Sequence, residues 1–422
     1  MQEFIEFIKN SKSAYHAVKE IEKKLKAAGF EEIKENKEWN LNAGKYYVKR
    51  NDSTIAAFVI PKGRDIEGFH IVAAHSDSPT FKVKENPEIK DKYYVRINTE
   101  KYGGMIMNSW FDRPLSVAGR VAVLENDEIV TKLVDIDKDL MVIPSVAIHM
   151  NRDTNNGYKY DAQIDTIPLF GGAADNANLL EKIAVSNGMN KDDILGHDLF
   201  LYAREEAKVI GANEEYILSP RLDDLQSTYI AVKAICDKEV TSDNYINMLV
   251  VFDNEEVGSG SGCGADSTFL SDVLIRISEN FQKNHSWLCT KLANSFMISA
   301  DNAHAVHPNH PEYADPTNRP YINNGVVIKF HAGQKYTTDA YSAAYMKKLA
   351  MDACVPYQIY TNKSNIAGGS TLGNISMSHV SVRSADIGFP QLSMHSAVET
   401  AGVKDFEYGI KLFKTFFSST IK

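Results

Sequence analysis

Hydrophobic and polar positions follow two periods along this chain. Near its start Phe4, Ile5, Phe7, Ile8, Val18, Ile21 and Leu25 recur between charges. That spacing predicts an amphipathic helix over residues 2–28. The same period predicts helices in LQSTYIAVKAICD, which follows Asp223–Asp224, and over 338–354 and 404–418. Four short runs are apolar with little interruption: HIVAA at 70–74, INMLVVF at 246–252, SFMISA at 295–300 and PQLSM at 390–394. Such runs are expected of strands covered on both faces. From about 79 to 220 the texture changes to shorter strand-like pieces. RVAVLEND and EIVTKLVD read as an antiparallel element, with turn signals NNG at 155–157 and SNG at 186–188. The expected fold class is α/β. A mixed sheet with flanking helices is formed by residues 1–78 and 221–422, and a mainly β domain, 79–220, is inserted between them.

Length agrees with more than one unit: 422 residues exceed one ordinary domain. Lys and Arg number 46 against 55 Asp and Glu, a net charge of −9 that disfavours nucleic acid and anionic membranes as partners. No secretory h-region stands at the N-terminus, and no stretch approaches the roughly 18 apolar residues of a membrane span. Cys236, Cys263, Cys289 and Cys354 form no CxxC pair. Reduced thiols in the cytoplasm are expected.

Chemistry-bearing residues follow the four apolar runs. HIVAA leads into His75-Ser76-Asp77, INMLVVF into Asp253-Asn254-Glu255-Glu256, SFMISA into Asp301 and PQLSM into His395. Asp223, at a helix start, is a fifth candidate. Open α/β sheets bind ligands beyond the carboxyl ends of their strands, so these groups are candidates for one crevice. Imidazoles with carboxylates suit zinc, with manganese or cobalt as alternatives. In His-x-Asp the His can bind metal while the Asp orients its other ring nitrogen. Adjacent carboxylates make sense if one binds metal and the other moves a proton. A carboxylate bridging two ions would hold them about 3.5–4 Å apart, as in two-metal hydrolysis. Singly, each signal is ordinary: His-x-Asp is a common satisfied pair, and Glu-Glu a common solvated face.

The combination is specific. AAHSDSPTFKVK at 73–84, SWFDRPLSVAGRV at 109–121, VAIHMNR at 146–152 and SPRLDDL at 219–225 are followed by FDNEEVGS at 252–259. SADNAHAVHPN at 299–309, GGSTLG at 368–373 and QLSMHSAVET at 391–400 complete the series. In this order they resemble the M18 metallo-aminopeptidases, the aspartyl aminopeptidase family, along nearly the whole chain. The resemblance implies a di-metal peptidase domain and an inserted dimerisation domain. It implies two divalent ions per subunit, zinc first, with His75, Asp223, Glu256, Asp301 and His395 as ligands and Asp223 bridging. Asp77 would orient His75, and Glu255 would be the general base. The implied reaction is hydrolysis of the N-terminal residue from peptides with a free amine, with a preference for acidic N-termini. The resemblance further implies homo-oligomers, a dodecamer built from dimers, in which His149 reaches a neighbouring subunit's site and touches the substrate carbonyl. Lys329 is the nominee for recognising an acidic side chain, with Lys335 nearby in sequence. Two positions depart from the family pattern: Asp224 where Asn is common, which puts the choice of metal in question, and Asn365 where Asp is common.

Several other readings are weaker. His304, His307 and His310 suggest a metal run, but Pro308 and Pro311 oppose a regular helix, so a loop or supporting role is expected. GSGSGCG at 258–264 lacks the GK[ST] of a phosphate loop, and neither G-x-S-x-G nor HExxH occurs. The alternatives to an aminopeptidase are a related di-zinc carboxypeptidase or N-deacylase, and a non-catalytic scaffold particle.

Overall fold

The computed structural model describes residues 1–63, 65–175, 177–240 and 242–421. A nine-stranded mixed sheet carries the fold. Four neighbouring strands at its centre run parallel: Tyr245–Phe252, Gly68–His75, Phe296–Ala300 and Arg383–Gly388. Thr54–Ile60 and Gly44–Arg50 extend it antiparallel on one side, with Glu31–Glu32 at that edge. Val326–Phe330, antiparallel to Arg383–Gly388, and Tyr357–Thr361 complete the other side.

Three of the central strands are mainly apolar because both faces are covered, whereas Arg383–Gly388 carries Arg383, Ser384 and Asp386. Val72, Leu249, Val251 and Ile298 face one core, shared with the helices Gln2–Asn10, Ala14–Ala27, Leu222–Ile235, Ala340–Asp352 and Val403–Ser418. Ile71, Ala73, Met248 and Val250 alternate to the other, under Phe269–Asn280 and His285–Ala293. Asp339 and Ser342 form a reciprocal cap at the start of Ala340–Asp352.

Two expectations change. The helix expected over 2–28 is two helices separated at Ser11-Lys12-Ser13, and Ser13 caps the second by accepting from the His16 amide at 3.5 Å. PQLSM is a strand only over Pro390–Leu392, and it leaves the main sheet for a five-stranded one with Glu399–Gly402, Ala303–His304, Tyr216–Ser219 and Lys208–Ile210. The main-sheet strand before it is Arg383–Gly388. At its end the backbone passes so close to Asp301 that a Cβ on Gly388 would lie 2.3 Å from the Asp301 carbonyl oxygen. Only glycine permits that turn-out.

A separate six-stranded antiparallel sheet comprises Glu128–Asp135, Leu115–Glu125, Ile194–Ala203, Thr80–Lys90, Tyr94–Tyr102 and Leu169–Gly172, in that spatial order. RVAVLEND and EIVTKLVD meet as a hairpin through Asn126 and Asp127, both at positive φ (51° and 63°). The helix Leu179–Ser186, which periodicity did not suggest, packs Leu179 and Ile183 into this sheet's core. Among the described residues no helix is long and apolar enough to cross a membrane.

Candidate metal centre

Three adjacent parallel strands deliver their last residues to one place. His75 ends Gly68–His75, Asp253 to Glu256 follow Tyr245–Phe252, and Asp301 follows Phe296–Ala300. Asp223 enters from the start of Leu222–Ile235, where it and Asp224 stand outside helical geometry and are joined by a cis peptide. His395 enters from the loop after Pro390–Leu392.

Asp223 lies between the two imidazoles. Its Oδ1 is 3.5 Å from His75 Nε2, and its Oδ2 is 3.4 Å from His395 Nε2. Asp301 Oδ1 is 3.8 Å from His75 Nε2, and Glu256 Oε2 is 3.4 Å from His395 Nε2. His75, Asp223 and Asp301 form one cluster and Asp223, Glu256 and His395 another, each with its donor atoms within 4.8 Å of one another. A third grouping, His75 with Glu255 and Glu256, overlaps both.

The other ring nitrogens are occupied. His395 Nδ1 is 2.7 Å from the Gly104 carbonyl oxygen, and His75 Nδ1 is 3.1 Å from the Asp77 carbonyl and 3.3 Å from its carboxylate. A carbonyl only accepts, so each Nδ1 carries a hydrogen, and once the ring is neutral each Nε2 would offer its lone pair to a cation in the crevice. The Asp77 carboxylate has a second task. It accepts from the amides of Glu255 at 3.2 Å and Glu256 at 3.1 Å and from the Tyr102 hydroxyl at 2.7 Å, aligning the Glu-Glu turn with His75.

Charge is concentrated here. Burial opposes protonation of both imidazoles, but the carboxylates override it: Asp223 and Asp301 hold His75 well above its usual pKa, and Asp223 and Glu256 raise His395 to about 10. Asp223 is held low despite burial by the same two rings. Burial raises Glu255 to about 8, with Asp301, Asp77 and Asp223 adding to it, and pushes Glu256 and Asp224 upward. Asp223 Oδ1, Glu256 Oε1 and Asp224 Oδ1 are buried without any hydrogen-bond donor. The unsatisfied Asp223 Oδ1 stands 3.5 Å from His75 Nε2, and Glu256 has one oxygen unsatisfied and the other 3.4 Å from His395 Nε2; a divalent cation would satisfy such groups, and this nitrogen-oxygen set fits zinc, manganese or cobalt.

Lys329 reaches the same crevice but is already engaged. It is buried, donates to the carbonyls of Asp301 at 2.9 Å and Asn302 at 3.2 Å, and lies over the Tyr336 ring. With Asp223, Glu255, Asp301 and His395 it borders a pocket of about 310 Å³ that is closed by Tyr336, Tyr360 and residues 369–371. His304 exposes its ring to this pocket, whereas His307 and His310 lie on the surface. Lys335 binds the Gly368 carbonyl at 2.7 Å, and Asn365 is exposed. His149 is not brought to this centre within one chain: it stands in an exposed loop beside Val146, Ile148 and Met150.

Glu399 was not singled out from the sequence. Its buried carboxylate accepts from the His395 amide at 2.7 Å and the Asp223 amide at 3.0 Å, fixing the backbones that carry both residues. An acid four residues after His395 was the available signal.

The chain as a whole is similar to known proteins. Residues 7–417 match the family described as aminopeptidase I zinc metalloprotease (M18). A probable M18 family aminopeptidase 2 of Clostridium novyi is 46% identical, with 99% of this chain and 98% of the relative covered. A cryo-EM structure of the Ape4 and Nbr1 complex contains a chain that superimposes with a TM-score of 0.95 at 36% identity, covering 99% of this chain and 85% of that one. The S. cerevisiae mApe1 dodecamer gives a TM-score of 0.85 at 28% identity, covering 99% and 95%.

Proposed function

The chain belongs to the M18 family of zinc metalloproteases and is a metal-dependent aminopeptidase, and from that premise we propose how its residues divide the work. Two divalent ions are held, one by His75, Asp223 and Asp301 and the other by Asp223, Glu256 and His395. The observation that carries this reading is the Asp223 carboxylate, with one oxygen toward each imidazole at 3.5 and 3.4 Å. Bound ions would supply Lewis-acid activation of water and of the scissile carbonyl. Glu255 takes the proton from the attacking water and returns it to the leaving amine. Burial and the neighbouring carboxylates raise its affinity for a proton, and bound ions would lower it again. Asp77 is an orienting residue that holds His75 and the Glu-Glu turn together.

The pocket beside the centre receives the first side chain. Lys329 spends donors on two carbonyls but keeps an ammonium at the pocket wall, which supports a preference for acidic N-termini. His149 acts on the substrate carbonyl of a neighbouring subunit. The exposed apolar residues around it support burial of that loop against a second copy, with 79–220 as the dimerisation domain and a dodecamer as the assembly. A cytoplasmic setting accords with the four unpaired cysteines.

One experiment tests the core of this. Peptides with free and acetylated N-termini, varied at the first residue, are assayed with metal analysis of the same sample. Release of the first residue from free peptides, with zinc bound, is expected. Cleavage of acetylated peptides alone would point instead to a deacylase or carboxypeptidase, and metal-free protein without turnover to a scaffold.

A further inference from the structure

We propose that Asp386 is a positioning residue that ties together the two loops walling the pocket beside the metal centre, an inference that rests on reading this pocket as the seat of the peptide's first side chain. Asp386 lies on Arg383–Gly388, opposite Ser299 in the parallel pairing, and is completely buried. Its carboxylate meets donors from three separate segments. Oδ1 accepts from Ser299 Oγ at 2.8 Å and from Thr371 Oγ1 at 2.5 Å. Oδ2 accepts from the Thr337 amide at 2.5 Å and from Thr337 Oγ1 at 2.8 Å. Its own amide donates to Thr338 Oγ1 at 2.9 Å.

These donors sit at the ends of the pocket's walls. Thr337 and Thr338 close the loop after Val326–Phe330, which contributes Tyr336 to the pocket. Thr371 closes the loop after Tyr357–Thr361, which contributes Gly369 and Ser370. The loops also bind each other, Lys335 Nζ donating to the Gly368 carbonyl at 2.7 Å. The helix Leu372–Ser376 begins directly against the carboxylate: a Cβ on Gly373 would lie 2.7 Å from Ser299 and 3.1 Å from Asp386 Oδ1. An ionised carboxylate is the side chain that can accept on both oxygens and donate from neither. Bonds to a charged acceptor are roughly twice as strong as neutral ones. None of these side-chain bonds involves His75, Asp223, Glu256, Asp301 or His395, although the neighbouring Ile387 carbonyl accepts the Asp301 amide at 3.2 Å, so metal content is measured beside the kinetics.

The test is steady-state kinetics of the metal-loaded full-length protein and its Asp386→Asn variant. Two peptides are compared, one with the first residue that wild type uses best and one beginning with glycine, which has no side chain to enter the pocket. In the variant the amide oxygen keeps the Thr337 side, where the backbone N–H can only donate, and the NH₂ turns to the Ser299 and Thr371 hydroxyls, which lose a charged acceptor and must rotate to accept instead. KM for the best-used peptide should rise about tenfold with kcat and metal content nearly unchanged, while KM for the glycyl peptide barely moves. Thr337→Val should raise KM in the same direction by a smaller factor, and Thr337→Ser, which keeps the hydroxyl, should restore it. This pair decides the matter if Asp386→Asn does not fold. An unmoved KM, or equal losses for both peptides with loss of metal, would overturn the proposal. Wild type that cleaves no free-ended peptide sinks the pocket reading and this inference together, whereas active wild type with an unmoved variant sinks only the inference.

Discussion

Replacing Asp77 by Asn isolates what the buried carboxylate contributes beyond its shape. Its Oδ1 faces the Glu255 amide and His75 Nδ1, and its Oδ2 faces the Glu256 amide and the Tyr102 hydroxyl. Asparagine keeps one acceptor and puts an NH₂ in place of the other. Whichever way the amide turns, donors then meet donors on one side. Bonds to a charged acceptor are worth about 1.5–3 kcal/mol each, and the surviving side loses the charge. Both the His75 ring and the Glu-Glu turn lose alignment, so the effect should appear in metal binding before it appears in fold. Loss of such an orienting partner costs about 10–100-fold in metal affinity. The assay is zinc competition against a chelator of known affinity, on wild type, Asp77→Asn and Tyr102→Phe, with circular dichroism to confirm unchanged secondary structure. Tyr102→Phe removes one donor only and should fall between the other two. Affinity within about twofold of wild type in folded Asp77→Asn would refute the role assigned to this carboxylate.

Other outcomes follow from the same geometry. Glu255→Gln should keep its metal and lose about 10²–10⁴-fold in kcat; near-normal turnover would exclude Glu255 as the base. His395→Ala should lower metal content by about one ion per chain, and unchanged stoichiometry in the purified variant would count against its ligand role. His70, stacked on Tyr245 and bonded to Asn247 at 3.0 Å, is held near pKa 4 by burial, below its unfolded value of about 6.5. Its contribution is therefore intact above pH 6.5 and lost as pH falls toward 4. Denaturant unfolding of wild type relative to His70→Gln should lose about 3 kcal/mol across that window, and a flat difference would refute the shift. Mixing His149→Ala with Glu255→Gln subunits should restore about a quarter of wild-type activity if His149 acts across a two-fold interface; activity no higher than the mean of the two variants would refute action in trans.

The sequence is most informative where local pattern and fold coincide. His75, Asp301 and the Glu255–Glu256 pair each follow closely on a mainly apolar run, and those runs are three adjacent parallel strands, so their convergence follows from the strand-end rule. His395 converges by another route, from a short strand in a different sheet, and no periodicity announces that change of sheet. Arg383–Gly388 escaped notice because Arg383, Ser384 and Asp386 interrupt its apolar pattern, although the strand lies inside the main sheet. The break at Ser11–Ser13 is masked by phase, since Val18 and Ile21 resume the helical spacing that Phe7 and Ile8 began. Glu399 and Asp386 are invisible to period altogether. Their partners are backbone and hydroxyl donors far away in sequence, and only the folded chain brings them to the carboxylates.

What the centre costs the fold bears on how it should be read. Burial drives Glu255 and Glu399 to about 8 and pushes Glu256 and Asp224 upward, so folding alone favours their neutral forms. Packing apolar side chains in their place would often be neutral or stabilising. Left-handed backbone is found here too. Arg221, Asn254, Ser393 and His395 all have φ between 56° and 66° without being glycine, and each is a metal-centre residue or lies within two positions of one. Left-handed backbone at such residues costs of order 1–3 kcal/mol and persists only where the surroundings over-determine it. Here they do: Glu399 fixes the amides of Asp223 and His395, and Asp77 fixes those of Glu255 and Glu256. Strain and buried charge thus coincide at the same turns, and each turn is held by a carboxylate from elsewhere in the chain. Left-handed residues elsewhere, such as Asn126 and Asp127 in a hairpin, show that positive φ alone marks no site; what sets these turns apart is the buried carboxylate that holds their neighbouring amides.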